Sequence, residues 1–126
     1  MKLRLSALPG LYGVFRLQAD SQLPDWFTFS GELTAVCRTA EELSLLTLEE
    51  TVPDEVVGER GLRAFKVAGP LDFSETGILA AIAGPLAEAK IPIFALSTFE
   101  TDYVLLPSER FHAARQILAL RLDLMD

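Results

Sequence analysis

Ser74-Glu75-Thr76-Gly77-Ile78-Leu79-Ala80-Ala81-Ile82-Ala83-Gly84-Pro85-Leu86-Ala87-Glu88-Ala89 is the stretch on which the fold turns. Before it, apolar residues alternate or come in short runs. Here the period changes. Ile78, Ile82 and Leu86 lie four apart with Leu79 beside them, which draws one core-facing stripe on a helix. Asp72 or Ser74 is placed to cap it, and Asp72 with Glu75 has capping-box spacing. Gly84-Pro85 should bend this helix rather than end it, because the pattern continues to Ala89.

Working outward, Ile91 to Leu96 and Asp102 to Leu106 read as buried strands joined by Ser97-Thr98-Phe99-Glu100-Thr101. A last helix is expected from about Ser108 to Leu122, with Phe111, Ala114 and Leu118 on one face. Upstream, Leu62 to Ala68 is a strand closed by Gly69-Pro70, so the second half reads β-α-β-β-α. At the start of the chain Leu3, Leu5 and Ala7 alternate with Lys2, Arg4 and Ser6, a half-buried strand. Pro9-Gly10 suits a type II turn, and Leu11 to Gln18 reads as the returning strand. Leu33 to Thr39 and Leu43 to Glu49 are two further apolar runs, joined by Thr39-Ala40-Glu41-Glu42. Pro53 to Gly58 is read as one helical turn.

The two halves match at an offset of 59 without a gap. Leu3-Arg4 meets Leu62-Arg63, Gly10 meets Gly69, Thr39 meets Thr98, Glu41 meets Glu100, Leu46 meets Leu105 and Glu50 meets Glu109. A repeat of this kind marks a duplicated supersecondary unit. Opposite the 74–89 helix the first copy has only a strand and a polar loop. The fold class expected is therefore α+β: two tandem ferredoxin-like units of antiparallel sheet with helices on one face, the first unit reduced. The units are drawn at 1–61 and 62–126. The second copy lacks its final strand on this reading, so the first copy or a second chain should supply that edge, and at least a homodimer is expected.

Composition narrows the function. The chain has 126 residues, half of them apolar and 22 of them leucine, enough for a core. Its net charge is −7, and both halves are acidic. No basic stripe exists to follow phosphates, so nucleic acid is a poor partner, and an anionic membrane surface is disfavoured too. The longest uncharged apolar stretch, Gly77 to Ala87, is too short to span a bilayer. No signal-peptide pattern opens the sequence, and a cytoplasmic location is expected. One cysteine, Cys37, and one histidine, His112, leave no zinc cluster, and no metal or cofactor is expected.

Catalytic patterns are equally thin. There is no phosphate-binding glycine loop, no G-x-S-x-G elbow and no H-E-x-x-H. His112 reads as a solvated helix-face residue. Cys37 reads as a buried structural thiol. Glu41-Glu42 and Glu49-Glu50 are neighbours that diverge on a strand and read as solvated edges. No enzyme is expected.

Two segments look suited to a small ligand. Gly69 to Gly77 joins a strand to a helix start, where free N–H groups and the dipole favour an anion such as a carboxylate. Gly77 at that start points either to close backbone approach or to room for a neighbouring strand. Ser97 to Asp102 offers hydroxyls, an aromatic face and two carboxylates on one hairpin. Asp102 opens an otherwise apolar strand, which suits a ligand ammonium or guanidinium, or a turn cap through its own backbone.

These segments, with Pro85-Leu86-Ala87-Glu88-Ala89 and Ile91 to Leu105 around Phe94-Ala95-Leu96-Ser97-Thr98, resemble the ACT-domain superfamily. The resemblance covers about 62–120 and is closest to small bacterial tandem-ACT proteins, similar in turn to the ACT domains of cytosolic arginine sensors and aspartate kinases. Residues 1–61 resemble the family's first, reduced unit through Pro24-Asp25-Trp26 and Arg38 to Ser44. The resemblance implies a regulatory module that binds an amino acid at an interface between ACT units. Asp72, Ser74, Thr76 and Gly77 would meet the ligand backbone, and Thr98, Phe99 and Asp102 would line its side-chain end. Lys90-Ile91-Pro92 departs from the glycine many relatives have before the strand, and Pro92 implies that the strand starts late or lies at an edge. The chain is then expected to be a free-standing sensor, or a subunit acting on an unidentified protein target. The alternative is a structural or interaction module that keeps the fold without a ligand.

Overall fold

The computed structural model describes residues 3–68 and 76–125. Eight strands and two helices follow in the order β1 (Arg4–Ala7), β2 (Tyr12–Leu17), β3 (Ala35–Arg38), β4 (Leu43–Leu48), β5 (Gly58–Val67), α1 (Ile78–Glu88), β6 (Phe94–Ser97), β7 (Asp102–Pro107), α2 (Phe111–Ala119) and β8 (Asp123–Met125). Short 3-10 turns at Glu49–Thr51 and Ser108–Arg110 follow β4 and β7. The chain forms two compact units, one of residues 10–62 and the other of 1–9 with 63–126. Their border falls inside β5.

In the unit carrying the helices, β7 pairs with both β5 and β6, and β1 lies between β5 and β8. Leu5 faces Val67 and Ala7 faces Phe65 in antiparallel register, while Leu5 faces Leu124 in parallel. The core joins Leu5, Phe65, Val67, Val104 and Leu106 from the strands to Ile82 and Leu86 of α1 and Ala114 and Leu118 of α2. The stripe read in the sequence is thus the face that α1 buries. Each fully buried leucine or isoleucine side chain contributes about 1.5–3 kcal/mol, which outweighs the weak helix preference of Gly84 and Pro85. α1 continues through Pro85 to Glu88, as the pattern required.

The other unit orders its strands β3-β4-β2 followed by the first part of β5. No helix connects β2 to β3, as expected. Trp26 and Phe27 from that connection pack on Leu17, Leu43 and Leu45, and Trp26 meets the Phe15 ring edge-on at 6.4 Å. Aromatic side chains thus cover the sheet face that a helix covers in the second copy.

The repeat is structural. Adding 59 to β3, to β4 and to the turn Glu49–Thr51 gives β6, β7 and the turn Ser108–Arg110 residue for residue. The match fails at the first strand. β2, not β1, takes the place in the first unit that β5 takes in the second, and β1 is the sheet neighbour of β5. The expected hairpin of 3–8 with 11–18 does not form, because β1 pairs with β5 and β8 while β2 pairs with β4 and β5. Residues 1–9 therefore group with the second unit rather than the first.

Four further expectations are corrected. The second copy does not lack its final strand: β8 follows α2 and pairs with β1. The strand expected at 91–96 as buried is β6, whose Phe94 is 40% exposed; it begins two residues after Pro92 and lies at an edge, as the proline implied. Cys37 is exposed on β3 rather than buried. Pro53 to Gly58 makes a turn closed by Val56 N–H to Pro53 C=O at 3.1 Å, without becoming a helix.

The end of α1 explains the departure at Lys90. Lys90 N–H bonds Ala87 C=O at 3.0 Å and Ile91 N–H bonds Leu86 C=O at 2.9 Å, the paired bonds of a Schellman cap. Lys90 carries the cap's left-handed residue at φ 60. A side chain with a Cβ is strained there, so Lys90→Gly is expected to stabilise the protein by about 1 kcal/mol, read as a rise in the chemical-denaturation midpoint at constant slope.

Candidate functional site

The hairpin between β6 and β7 is built by one threonine. Thr98 N–H bonds Thr101 C=O at 2.8 Å, and the Thr98 hydroxyl donates to that carbonyl at 3.1 Å while accepting Thr101 N–H at 3.3 Å. Thr39 does the same for Glu42 in the first unit, with N–H to C=O at 2.9 Å and Glu42 N–H to the hydroxyl at 3.1 Å. The Thr39–Thr98 identity of the repeat is therefore a turn device. It leaves the Thr98 hydroxyl engaged inside the turn.

Above that turn, Ser97 and Asp102 are the first cross-strand pair. The Ser97 hydroxyl donates to Asp102 Oδ1 at 2.5 Å. Asp102 thus takes a side-chain donor from across the hairpin in place of the backbone cap that the sequence left open. It is half-buried, and Phe99 at the tip is 89% exposed. Thr101, 5% exposed, donates its hydroxyl to Val67 C=O at 2.6 Å. This bond anchors the hairpin to the end of β5, one residue before Ala68 and the segment 69–77. The sequence counts Ser97 and Thr101 among the hydroxyls of this hairpin but does not single them out as site residues.

Gly77 is the N-cap residue of α1, with φ 79, and α1 starts at Ile78 without a side-chain cap. The helix start expected at 74 is thereby corrected to 78. Asp72 and Ser74 themselves, like Gly69, Pro70, Phe73 and Glu75, lie outside the described residues. A Cβ on Gly77 would meet nothing within 4 Å, so the glycine is there for its left-handed backbone and not to make room for a strand. Thr76 and Gly77 are exposed at this helix start. Of the seven expected site residues, five are described. They fall on two places of one unit: the start of α1, and the hairpin tied to the end of β5.

The first unit lacks this chemistry at the matching positions. Phe99 corresponds to Ala40 and Asp102 to Leu43, which is buried at 1% exposure. One member of each acidic pair is bonded within the fold. Glu49 accepts Gly61 N–H at 2.6 Å and Glu42 accepts the Ser44 hydroxyl at 2.7 Å. A concavity of about 200 Å³ lined by Gly10, Leu11, Leu48, Glu49 and Glu50 belongs to the first unit and includes none of the expected site residues. His112 is exposed on α2, as read. Among the described residues no group of three or more histidine, cysteine, aspartate or glutamate side chains is placed to hold a metal ion, and no helix is long and apolar enough to cross a membrane.

Comparison with known proteins agrees with this architecture. A crystal structure of a protein from Agrobacterium tumefaciens superposes with a TM-score of 0.89 at 34% identity, over 100% of this chain and 96% of that one. The aspartate kinase of Clostridium acetobutylicum shares the fold at a TM-score of 0.65 and 12% identity, over 90% of this chain and 33% of the kinase. The bovine cytosolic arginine sensor for mTORC1, subunit 1, is 42% identical over 62 residues, and the match spans 48% of this chain but only 19% of the sensor. Residues 10–55 match the profile of a separate N-terminal domain family. Residues 57–119, which hold the hairpin, the start of α1 and most of the second unit's core, match the ACT-domain profile, and the chain belongs to the ACT-domain family.

Proposed function

We propose that this protein is a non-catalytic regulatory module that binds an amino acid on its second unit and acts on a separate protein target. The observation that carries this reading is the hairpin 97–102. It carries a half-buried carboxylate and an exposed aromatic ring, and Thr101 fixes it to the end of β5. The ligand carboxylate takes N–H groups near Thr76 and Gly77, at a helix start without a side-chain cap. Asp72 and Ser74 complete that end in sequence. The ligand's cationic group pairs with Asp102, against Phe99, on the turn that Thr98 shapes. The arginine sensors and aspartate kinases among the relatives support an amino-acid ligand and a regulatory role, and the name of the former supports a cytosolic place of action.

A thermal-shift screen with the twenty amino acids tests the reading. A ligand at 100 times its dissociation constant adds about 2.7 kcal/mol, a shift of several degrees. Titration calorimetry should then give one ligand per chain, because Ala40 and Leu43 replace the aromatic and the acid in the first unit. If no amino acid shifts the melting point, the protein is the ligand-free interaction module.

The same reading includes a homodimer. α1 leaves Leu79, Ala80, Gly84 and Ala87 exposed, and β6, an edge strand beside β7, exposes Phe94. A largely apolar exposed helix face and an open strand edge each favour pairing with another copy. Light scattering should give about twice the 13.8 kDa chain mass at micromolar concentration. A monomer mass there would rule the dimer out.

A further inference from the structure

Resting on the amino-acid site just proposed, the geometry points to Ser97 as a further residue of that site, one that positions Asp102 and contributes an acceptor to the ligand cation. Ser97 and Asp102 face each other directly across β6 and β7, and the hydroxyl reaches Oδ1 at 2.5 Å. The turn below them is closed by three bonds between Thr98 and Thr101, so the separation of the pair is set by the backbone. The hairpin as a whole is held to β5 through the Thr101 hydroxyl and Val67 C=O. A carboxylate has about four acceptor positions, and the serine fills one of them.

Two consequences follow. The Ser97 proton is committed to Oδ1, which selects one orientation of the carboxylate and turns Oδ2 to a fixed direction. The serine oxygen, having donated, keeps its lone pairs as acceptors beside that carboxylate. Together they offer two neighbouring acceptors, which suit two N–H groups of one planar guanidinium better than a single ammonium. The first unit shows what the position does without this task. Arg38 stands where Ser97 stands, Leu43 where Asp102 stands, and the Arg38 guanidinium bonds the Ser21 carbonyl.

Ser97 is exposed at the edge strand, so its replacement should leave the fold intact. The test compares the isosteric pair Ser97→Thr and Ser97→Val in the full chain by titration calorimetry, with L-arginine and L-lysine as probes, and records the melting temperature without ligand. The expected result is that threonine binds L-arginine within about twofold of the wild type, and that valine binds it about tenfold more weakly, the loss of one hydrogen bond to a charged group. The valine variant should lose less affinity for L-lysine. The two variants should melt together, because a role in folding alone would separate their melting temperatures and leave affinity unchanged. Equal affinity of valine and threonine variants for L-arginine overturns the role of Ser97 while leaving the amino-acid site standing. A wild type that binds neither probe nor any other amino acid overturns both.

Discussion

Replacing Asp102 with alanine is expected to lower affinity for a cationic amino acid ten- to a hundredfold. Loss of a charge-assisted pair costs about 1.5–3 kcal/mol. Affinity for a neutral amino acid, measured on the same variant, should fall much less, because the proposed site assigns its carboxylate to the start of α1. Folding should change little. The bond lost is the one from Ser97, whose exposed hydroxyl finds water instead, and the fold cost is no more than about 1 kcal/mol. Binding measured by calorimetry and stability by urea unfolding separate the two effects. A variant that fails to fold would make Asp102 part of the turn's structure and not of a ligand site.

The largest effect on stability is expected at Phe65. Its ring is 2% exposed and stacks on Phe111 with centroids 4.8 Å apart and planes 19° apart. The Arg63 guanidinium lies over the other ring of that pair, 4.1 Å from the Phe111 centroid. The stack thus ties β5 to the first turn of α2. Phe65→Ala should cost about 3–5 kcal/mol from lost burial and the cavity left behind, with about 0.5–1.5 kcal/mol more from the aromatic pair. That is a large share of the stability of any single domain. The denaturation midpoint should fall steeply. Phe111→Ala, which removes a half-buried ring, should cost less, and equal costs would mean that the stack rather than burial dominates.

The residues that were legible in sequence are those whose signal is local. The i, i+4 run of Ile78, Ile82 and Leu86 specified α1 and its buried face because a helix repeats within a few residues. Thr39 and Thr98 marked two turns because a hydroxyl bonds backbone groups only three residues away. The offset of 59 survived in β3, β4 and their 3-10 turns because each copy must close the same hairpin. The family motif between 69 and 105 then pointed to the hairpin and the start of α1.

What the sequence alone determined, then, is the class of fold, the duplication, the helix face and the two segments that carry polar chemistry. Tertiary structure decided the pairings. Alternation in Leu3, Leu5 and Ala7 says that a strand has one buried face but not which strands flank it, since a ladder can be satisfied by any partner of matching length. Only the assembled sheet shows that β1 pairs with β5 and β8, that Phe94 of β6 is exposed, and that Cys37 on β3 is open to solvent. The bond from Thr101 to Val67 joins residues 34 apart in the chain, and the bond from Ser97 to Asp102 depends on the register of β6 against β7. Such contacts are fixed by the burial of a whole face at once, so no window of the sequence contains them.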